Sequence, residues 1–140
     1  MRKSTDFERD RDLIIVSGTV TGPAGRARCR MIVDTGCAIT MLTPELARTI
    51  GYQSRDRMRE SIVSSPGGVT LGYFVVILEL ATLGFHIENV LVNVGEFDLT
   101  SHRRRDDVQA DALLGLTFLD HFNYEIRSYE SRILVQRADE

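Results

Sequence analysis

Lysine is nearly missing from this 140-residue chain: Lys3 stands alone while arginine is abundant, a bias that nothing in the sequence explains. Cysteine is scarce too. Cys29 and Cys37 are the only two, too few and wrongly spaced for a zinc site without several histidines nearby. No metal and no cofactor are therefore expected. Spacing leaves a bridge between them open, but on one strand and its following loop they read better as reduced, buried thiols acting as small apolar residues. Long apolar runs are also absent. Met1 to Asp12 is charged throughout and has no apolar h-region, so neither a signal peptide nor a membrane span is expected. That points to the cytoplasm, or to the periplasm if the chain was trimmed from a longer anchored protein. Positive charge is not in excess: the net charge is -3, which gives no electrostatic case for nucleic acid. No internal repeat or low-complexity tract appears.

What is present suits one globular domain. With 43% hydrophobic and 26% charged residues, a chain of this length can bury most of its surface in a single core. The expected division is a flexible arm over 1–12, a folded domain over 13–137 and a tail over 138–140. Leu13 to Val20 is a β-rich run, Thr21 to Gly25 is turn chemistry, and Arg26 to Val33 resumes with alternation, so a hairpin is expected. Thr43-Pro44 opens a short helix that closes on Gly51, with threonine as N-cap and proline at the first helical position. Two β-prone segments flank Pro66-Gly67-Gly68, two longer strands run over Tyr73 to Leu80 and Phe85 to Val94, and a terminal hairpin joins Tyr124 to Ser128 with Arg132 to Gln136. His86 reads as an edge or surface residue. The run Ser101 to Asp107 reads as a solvated loop in preference to a basic docking patch, because two aspartates follow its arginines.

The chain is organised around Met31-Ile32-Val33-Asp34-Thr35-Gly36-Cys37-Ala38. An apolar strand that stops at a lone carboxylate is unusual, because a buried charge is costly without donors or a partner. Asp34 could simply start a turn, accepting bonds from nearby amides while Gly36 supplies a positive φ. Alternatively the strand delivers a carboxylate to the floor of a cleft. Asp-Thr-Gly alone turns up by chance in roughly a few per cent of chains this size, so it does not decide.

A second stretch does more. Ala112-Leu113-Leu114-Gly115 is an apolar strand broken at glycine and followed by a helical turn over Leu116 to Phe122. Together the two stretches resemble the retropepsin-like aspartic proteases, in which an Asp-Thr-Gly loop is crossed later by a strand ending hydrophobic-hydrophobic-Gly. The similarity runs from about Leu13 to Gln136 in the family's order, and is nearest to bacterial and ubiquitin-receptor-associated single-domain members. It implies an all-β, mainly antiparallel fold with one or two short helices, a half-barrel that works as a dimer. Leu113, Leu114 and Gly115 would form the crossing strand. Ser65, Pro66, Gly67 and Gly68 would lie at the tip of a flap that closes over substrate, although a plain hairpin turn accounts for the same residues.

The resemblance also implies chemistry. Metal-free peptide hydrolysis by carboxyl groups needs one to activate water and one to protonate the substrate, and two carboxyls sharing a proton supply both. Only one Asp-Thr-Gly is present, so the second carboxyl must come from another copy of the chain. Asp34, Thr35 and Gly36 would then be the catalytic triplet of a homodimer, Asp34 as acid and base, Thr35 bonding across the axis, and Gly36 donating its amide to the carboxylate. Met1 to Asp12 or Ile133 to Gln136 would form an interchain sheet. The substrate implied is an extended peptide or unfolded protein.

One departure stands out. Many relatives follow the triplet with Ala and then Ser, Thr or Asp, where a hydroxyl can donate to the outer carboxylate oxygen. This chain has Cys37-Ala38, which removes that donor and should raise the apparent pKa of the pair. Cys37 beside the site would make activity sensitive to oxidation. A non-catalytic dimeric peptide-binding module on the same fold is the competing expectation. A third reading, the phosphate loop of an actin-like ATPase, requires two large domains that 140 residues cannot house.

Overall fold

The computed structural model describes residues 1–65, 68–97 and 110–139. Its elements in chain order are β1 (Arg2–Asp6), β2 (Glu8–Asp10), β3 (Leu13–Gly22), β4 (Gly25–Val33), β5 (Met41–Leu42), α1 (Pro44–Thr49), a 3-10 turn at Ser54–Asp56, β6 (Arg59–Ser65), β7 (Gly68–Thr82), β8 (Phe85–Val94), β9 (Ala112–Leu114), α2 (Leu116–Leu119), β10 (Phe122–Arg127) and β11 (Arg132–Arg137). The fold is mainly antiparallel β with two short helices, as expected.

Eight strands form one sheet in the order β2-β3-β4-β9-β5-β8-β7-β6, and the far half of β3 also pairs with β7. That extra pairing, Gly18↔Thr82 to Thr21↔Glu79, curls the sheet back on itself. Its tightest point is Gly18, where a Cβ would sit 2.6 Å from the Met31 methyl and 2.8 Å from the Ala81 carbonyl oxygen. Real Cβ atoms do not approach that closely, so only glycine lets the two strands meet here. The Thr82 hydroxyl then donates to the Ser17 carbonyl at 2.8 Å and fastens the closure. Inside lies a core that includes Val20, Met31, Leu42, Ile77, Leu80, Val92, Leu114 and Phe118.

Helix α1 is set up by the residues at its start. The Thr43 hydroxyl accepts from the Leu46 amide at 3.2 Å, Pro44 occupies a position whose N–H has no helical partner, and Leu46 and Ala47 are buried. Among the described residues no helix is long and apolar enough to cross a membrane.

The N-terminal segment departs from expectation. Instead of a flexible arm, Arg2–Asp6 is a strand paired with β11, and Glu8–Asp10 pairs with β3. An edge strand is held by its backbone ladder and needs little apolar content. Its one apolar anchor, Phe7, is buried and donates its amide to the Ser131 carbonyl at 3.0 Å. The helical turn after the crossing strand is also shorter than expected: it stops at Leu119, and Phe122 already opens β10. The polar run Ser101 to Asp107 lies outside the described residues. His86 is exposed on β8, as expected.

Both cysteines are free. Cys29 is buried in β4, and burial, reinforced by the charge of Asp111, pushes its thiol up to about 12. Cys37 is only half-buried. Two measurements check these features. A thiol reagent should modify Cys37 in the native protein, though more slowly than a free thiol, and Cys29 only after unfolding. Because the folded pKa of Cys29 lies above its ordinary value, the stability it contributes is complete below about pH 9 and is lost as pH rises towards 12. Separately, Phe118 is fully buried with its ring 5.0 Å from that of Phe122. Phe118→Ala should cost about 3–5 kcal/mol in denaturant unfolding.

Candidate active site

Strand β4 ends at Val33, and the loop that leaves it is fixed by a strand far along the chain. Residues Met31 to Val33 pair in parallel with Ala112 to Leu114, and on its other side β9 runs antiparallel to β5. The crossing strand therefore lies between the two arms of the Asp34 loop. Leu114 is fully buried in the main core, whereas Leu113 packs against a smaller cluster of Leu13, Ile15 and Ile32. The two leucines point to opposite faces, as strand pleating requires.

The loop hangs on this strand through backbone bonds. The Asp34 amide donates to the Leu114 carbonyl at 3.0 Å, and the Leu116 amide donates to the Cys37 carbonyl at 2.9 Å. Within the loop, the Gly36 amide donates to Asp34 Oδ1 at 3.0 Å, and the Cys37 amide to the Asp34 carbonyl at 3.1 Å. The turn reading and the functional reading of Asp34 thus share one set of hydrogen bonds, the local turn aiming the carboxylate, although Gly36 does not take the positive φ expected of it. Gly115 makes the approach possible, since a Cβ there would stand 2.3 Å from the Cys37 carbonyl oxygen.

Beneath the loop sits a polar tie that sequence reasoning did not assemble. Thr40 is fully buried; its hydroxyl accepts from the Gly115 amide at 3.0 Å while its own amide donates to Thr117 Oγ1 at 3.0 Å. The Thr40 carbonyl accepts from the Asn93 amide at 2.9 Å, which links the loop to β8. Asp111 makes a comparable brace at the other end of β9, accepting from the Arg30 amide at 3.1 Å and donating its own amide to the Arg30 carbonyl at 2.9 Å. Thr117 and Asp111 join partners 77 and 81 positions away, so no local pattern marks them.

Above this tie the site is open. Asp34 is half-buried, while Thr35, Gly36 and Ala38 are exposed. Among the described residues the Thr35 hydroxyl makes no hydrogen bond. Cys37 points its thiol at the Ile39 carbonyl, 3.0 Å away. Desolvation, and then the negative charge of Asp34, push that thiol above its ordinary pKa. A thiol held protonated is slow to oxidise, which runs against the expected oxidation sensitivity.

Of the four residues expected at a flap tip, Ser65 and Gly68 lie at the end of a hairpin. Strands β6 and β7 form a hairpin in which Ile62 faces Leu71 and Ser65 faces Gly68. Pro66 and Gly67 lie outside the described residues. Gly68 has a φ of +132°, which suits glycine, and nothing lies within 4 Å of where its Cβ would be. Ile62, Val69 and Leu71 are 72%, 66% and 76% exposed, an apolar surface on a two-stranded arm. The structure thus brings Asp34, Thr35 and Gly36 together with Leu113, Leu114 and Gly115. Among the described residues, no hydrogen bond joins the hairpin to the Asp34 loop. Nor does any group of three or more His, Cys, Asp or Glu among them have the arrangement to hold a metal ion.

Comparison with known proteins agrees with this geometry. The crystal structure of a retropepsin-like aspartic protease from Rickettsia conorii superposes with a TM-score of 0.66 at 18% identity, covering 96% of this chain and 91% of that one. At that identity the likeness speaks for the fold. No curated protein matches in sequence. A family model described as aspartyl protease matches residues 16–118, a span that holds the Asp34 loop, the hairpin and the crossing strand. The chain therefore belongs to the aspartyl protease family and has the retropepsin-like fold.

Proposed function

We propose that this protein is a homodimeric aspartic endopeptidase whose catalytic dyad is Asp34 and the partner's Asp34. The observation that carries the reading is the placement of one braced carboxylate at an exposed rim. Asp34 is oriented by the Gly36 amide and anchored on β9, yet among the described residues no second carboxyl contacts it. A symmetric dimer, the commonest kind of oligomer, would supply that group through the same surface on both copies.

In this reading the ionised carboxylate takes a proton from a water molecule as its oxygen attacks the scissile carbonyl carbon, and the protonated carboxyl gives its proton to the carbonyl oxygen. The tetrahedral intermediate then collapses as the amide nitrogen is protonated and the C–N bond breaks. Each Asp34 changes role between the steps, which a pair sharing one proton can do. Thr35, exposed and with no hydrogen bond from its hydroxyl among the described residues, would donate across the axis to the opposing loop. The β6–β7 hairpin would cover an extended peptide, with its apolar face supplied by Ile62, Val69 and Leu71. Two free thiols suit a reducing compartment such as the cytoplasm.

One observation favours a second reading. Ala38 is exposed and carries no hydroxyl at the position from which relatives donate to the carboxylate, so a dimer that binds peptides without cutting them is the competing function. An Asp34→Asn variant separates the two. On an unstructured protein substrate in mildly acid buffer, wild type should cleave and the variant should lose about 10²–10⁴ of the rate. Binding without cleavage, equal in both proteins, would establish the module instead.

The pH profile of kcat/KM should be bell-shaped. At low pH both carboxyls are protonated and the base is lost; at high pH both are ionised and the acid is lost, so the two limbs belong to the pair. Thr35→Ala removes two symmetry-related bonds per dimer. At about 0.5–1.5 kcal/mol each, it should raise the dimer dissociation constant about tenfold, measured by sedimentation equilibrium, with the protomer's circular dichroism unchanged.

A further inference from the structure

The β6–β7 hairpin changes character at one rung. Strands β7 and β8 pair from Thr82↔Phe85 as far as Tyr73↔Val94, whereas β6 and β7 pair from Arg59↔Phe74 out to Ser65↔Gly68. Glu60 therefore faces a residue that is still inside the large sheet, and Ser61 faces Gly72, the neighbour of the last rung with β8. From that rung outward the arm is two-stranded among the described residues. Burial follows the same boundary: Ser61 is 6% exposed, while Ile62, Val69 and Leu71 beyond it lie open. A two-stranded ribbon has little stability of its own. Its direction has to be set where it leaves the body.

At that point stands a buried polar bond. The Ser61 hydroxyl donates to Asn93 Oδ1 at 2.6 Å, across 32 positions of sequence. Ser61 is the buried residue of a strand whose Arg59, Glu60 and Ile62 are exposed. Asn93 lies on β8 between Val92 and Val94, both buried in the core, so pleating turns its side chain to the opposite face. Gly72 completes the arrangement. A Cβ there would stand 2.5 Å from the Val94 carbonyl oxygen, 2.8 Å from Ser61 Oγ and 3.3 Å from Asn93 Oδ1, so only glycine lets the arm close over the bond.

Other contacts hold the root of the arm less firmly. The Thr70 hydroxyl donates to the Glu96 carbonyl, but at 3.4 Å and exposed, near the limit of useful geometry. A cavity of about 320 Å³ lies alongside, lined by Pro44, Leu71, Gly72, Tyr73, Val94 and Glu96 among others, so packing does not wedge the arm from that side. The other end of Asn93 reaches the site. Its backbone amide donates to the Thr40 carbonyl at 2.9 Å, and the Thr40 hydroxyl accepts from the Gly115 amide at 3.0 Å beneath the Asp34 loop. One residue thus grips the arm with its side chain and the floor of the site with its backbone.

We infer that Asn93 is a positioning residue, whose bond to Ser61 fixes the pivot of the β6–β7 hairpin relative to the Asp34 loop and so sets how tightly peptide is bound. The inference rests on the reading of that hairpin as the cover of an extended peptide. With the bond in place, motion is confined to the part beyond Ser61. Without it the pivot retreats toward Arg59 and Phe74, more orientations of the arm compete with the closed one, and the fraction ready to bind falls. Such a loss acts on binding and not on proton transfer, because Asp34, the Gly36 amide and the β9 anchor are untouched.

Ser61→Ala deletes the donor and Asn93→Leu the acceptor, and both keep the Asn93 backbone amide on Thr40. Each should raise KM for an unstructured protein substrate about two- to tenfold, the worth of one hydrogen bond. The same variants should leave kcat within about twofold and both limbs of the pH profile in place. The double variant should match the worse single one, as a shared bond requires. Asn93→Asp retains an oxygen acceptor and should keep KM near that of wild type. Hydrogen exchange over residues 59–74 should quicken in Ser61→Ala and Asn93→Leu but not in Asn93→Asp, while β3 and β4 exchange as in wild type.

Wild-type KM and exchange in both Ser61→Ala and Asn93→Leu overturn the inference. So does a lower kcat or a shifted pH limb at unchanged KM, since Asn93 then acts through Thr40 on the Asp34 loop, and so do additive losses in the double variant. A wild type that cuts nothing removes the protease reading alone. Hydrogen exchange then decides the pivot: quickening confined to the arm supports it, and unaltered exchange overturns it.

Discussion

The structure depends on how closely β9 approaches the Asp34 loop. Three residues of parallel pairing make a weak ladder by themselves, so the contact must be secured by something else. It is secured by the missing side chain of Gly115, which allows the Cys37 carbonyl to accept from the Leu116 amide, and by Thr40, whose hydroxyl takes the Gly115 amide. Any Cβ at position 115 would push the loop away and break both bonds at once. The same insertion separates β4 from β5 and routes β8 beside them, so the barrel and the site share one geometric cause. Since its partners lie about eighty residues apart, this contact is costly in chain entropy and is favoured only once the surrounding strands are in place.

Below the loop the polar groups of the tie are paired around a fully buried Thr40; above it the groups are left exposed. That division suits the energetics of a carboxylate. Sealing an unpaired charge inside a lone protomer would carry a large desolvation penalty. Leaving Asp34 at the rim avoids it, while the Gly36 amide and the β9 anchor keep the side chain in one orientation. Rigidity comes from the buried tie and accessibility from the rim, so neither is sacrificed for the other. The apolar faces of Ile62, Val69 and Leu71 obey the same logic: a single protomer gains nothing by exposing them, and a bound chain would cover them.

Much of this was legible in the residues. Thr43-Pro44 announced α1 because capping is local chemistry, and the hairpins showed in alternation broken by glycine and proline. Asp34-Thr35-Gly36 and Leu113-Leu114-Gly115 were each readable as stretches, although nothing local says that one lies across the other. The features that stayed hidden were held by long-range or backbone forces. Arg2–Asp6 is a strand because β11 offers it a ladder, and a charged sequence gives no sign of that. Gly18, which closes β3 on β7, looks like any glycine in a strand until its neighbours are known. Thr40, Thr117 and Asp111 act through hydrogen bonds to residues distant in sequence, where periodicity carries no information.

Cys37 raises the question of which group at this rim can do chemistry. A nucleophilic thiol needs a lowered pKa and a base within hydrogen-bond reach. Here the sulfur instead donates to the Ile39 carbonyl, its surroundings are partly desolvated, and Asp34 beside it opposes a second negative charge. Desolvation and the neighbouring carboxylate both favour the neutral thiol. The effect is reciprocal: as long as Cys37 stays protonated, Asp34 meets no competing anion in its own loop. A carboxylate braced by an amide, next to a thiol that is kept silent, leaves one group able to exchange protons with water. The loop is thus built around a carboxyl, and a single carboxyl becomes an acid and base at the same instant only when a second one faces it.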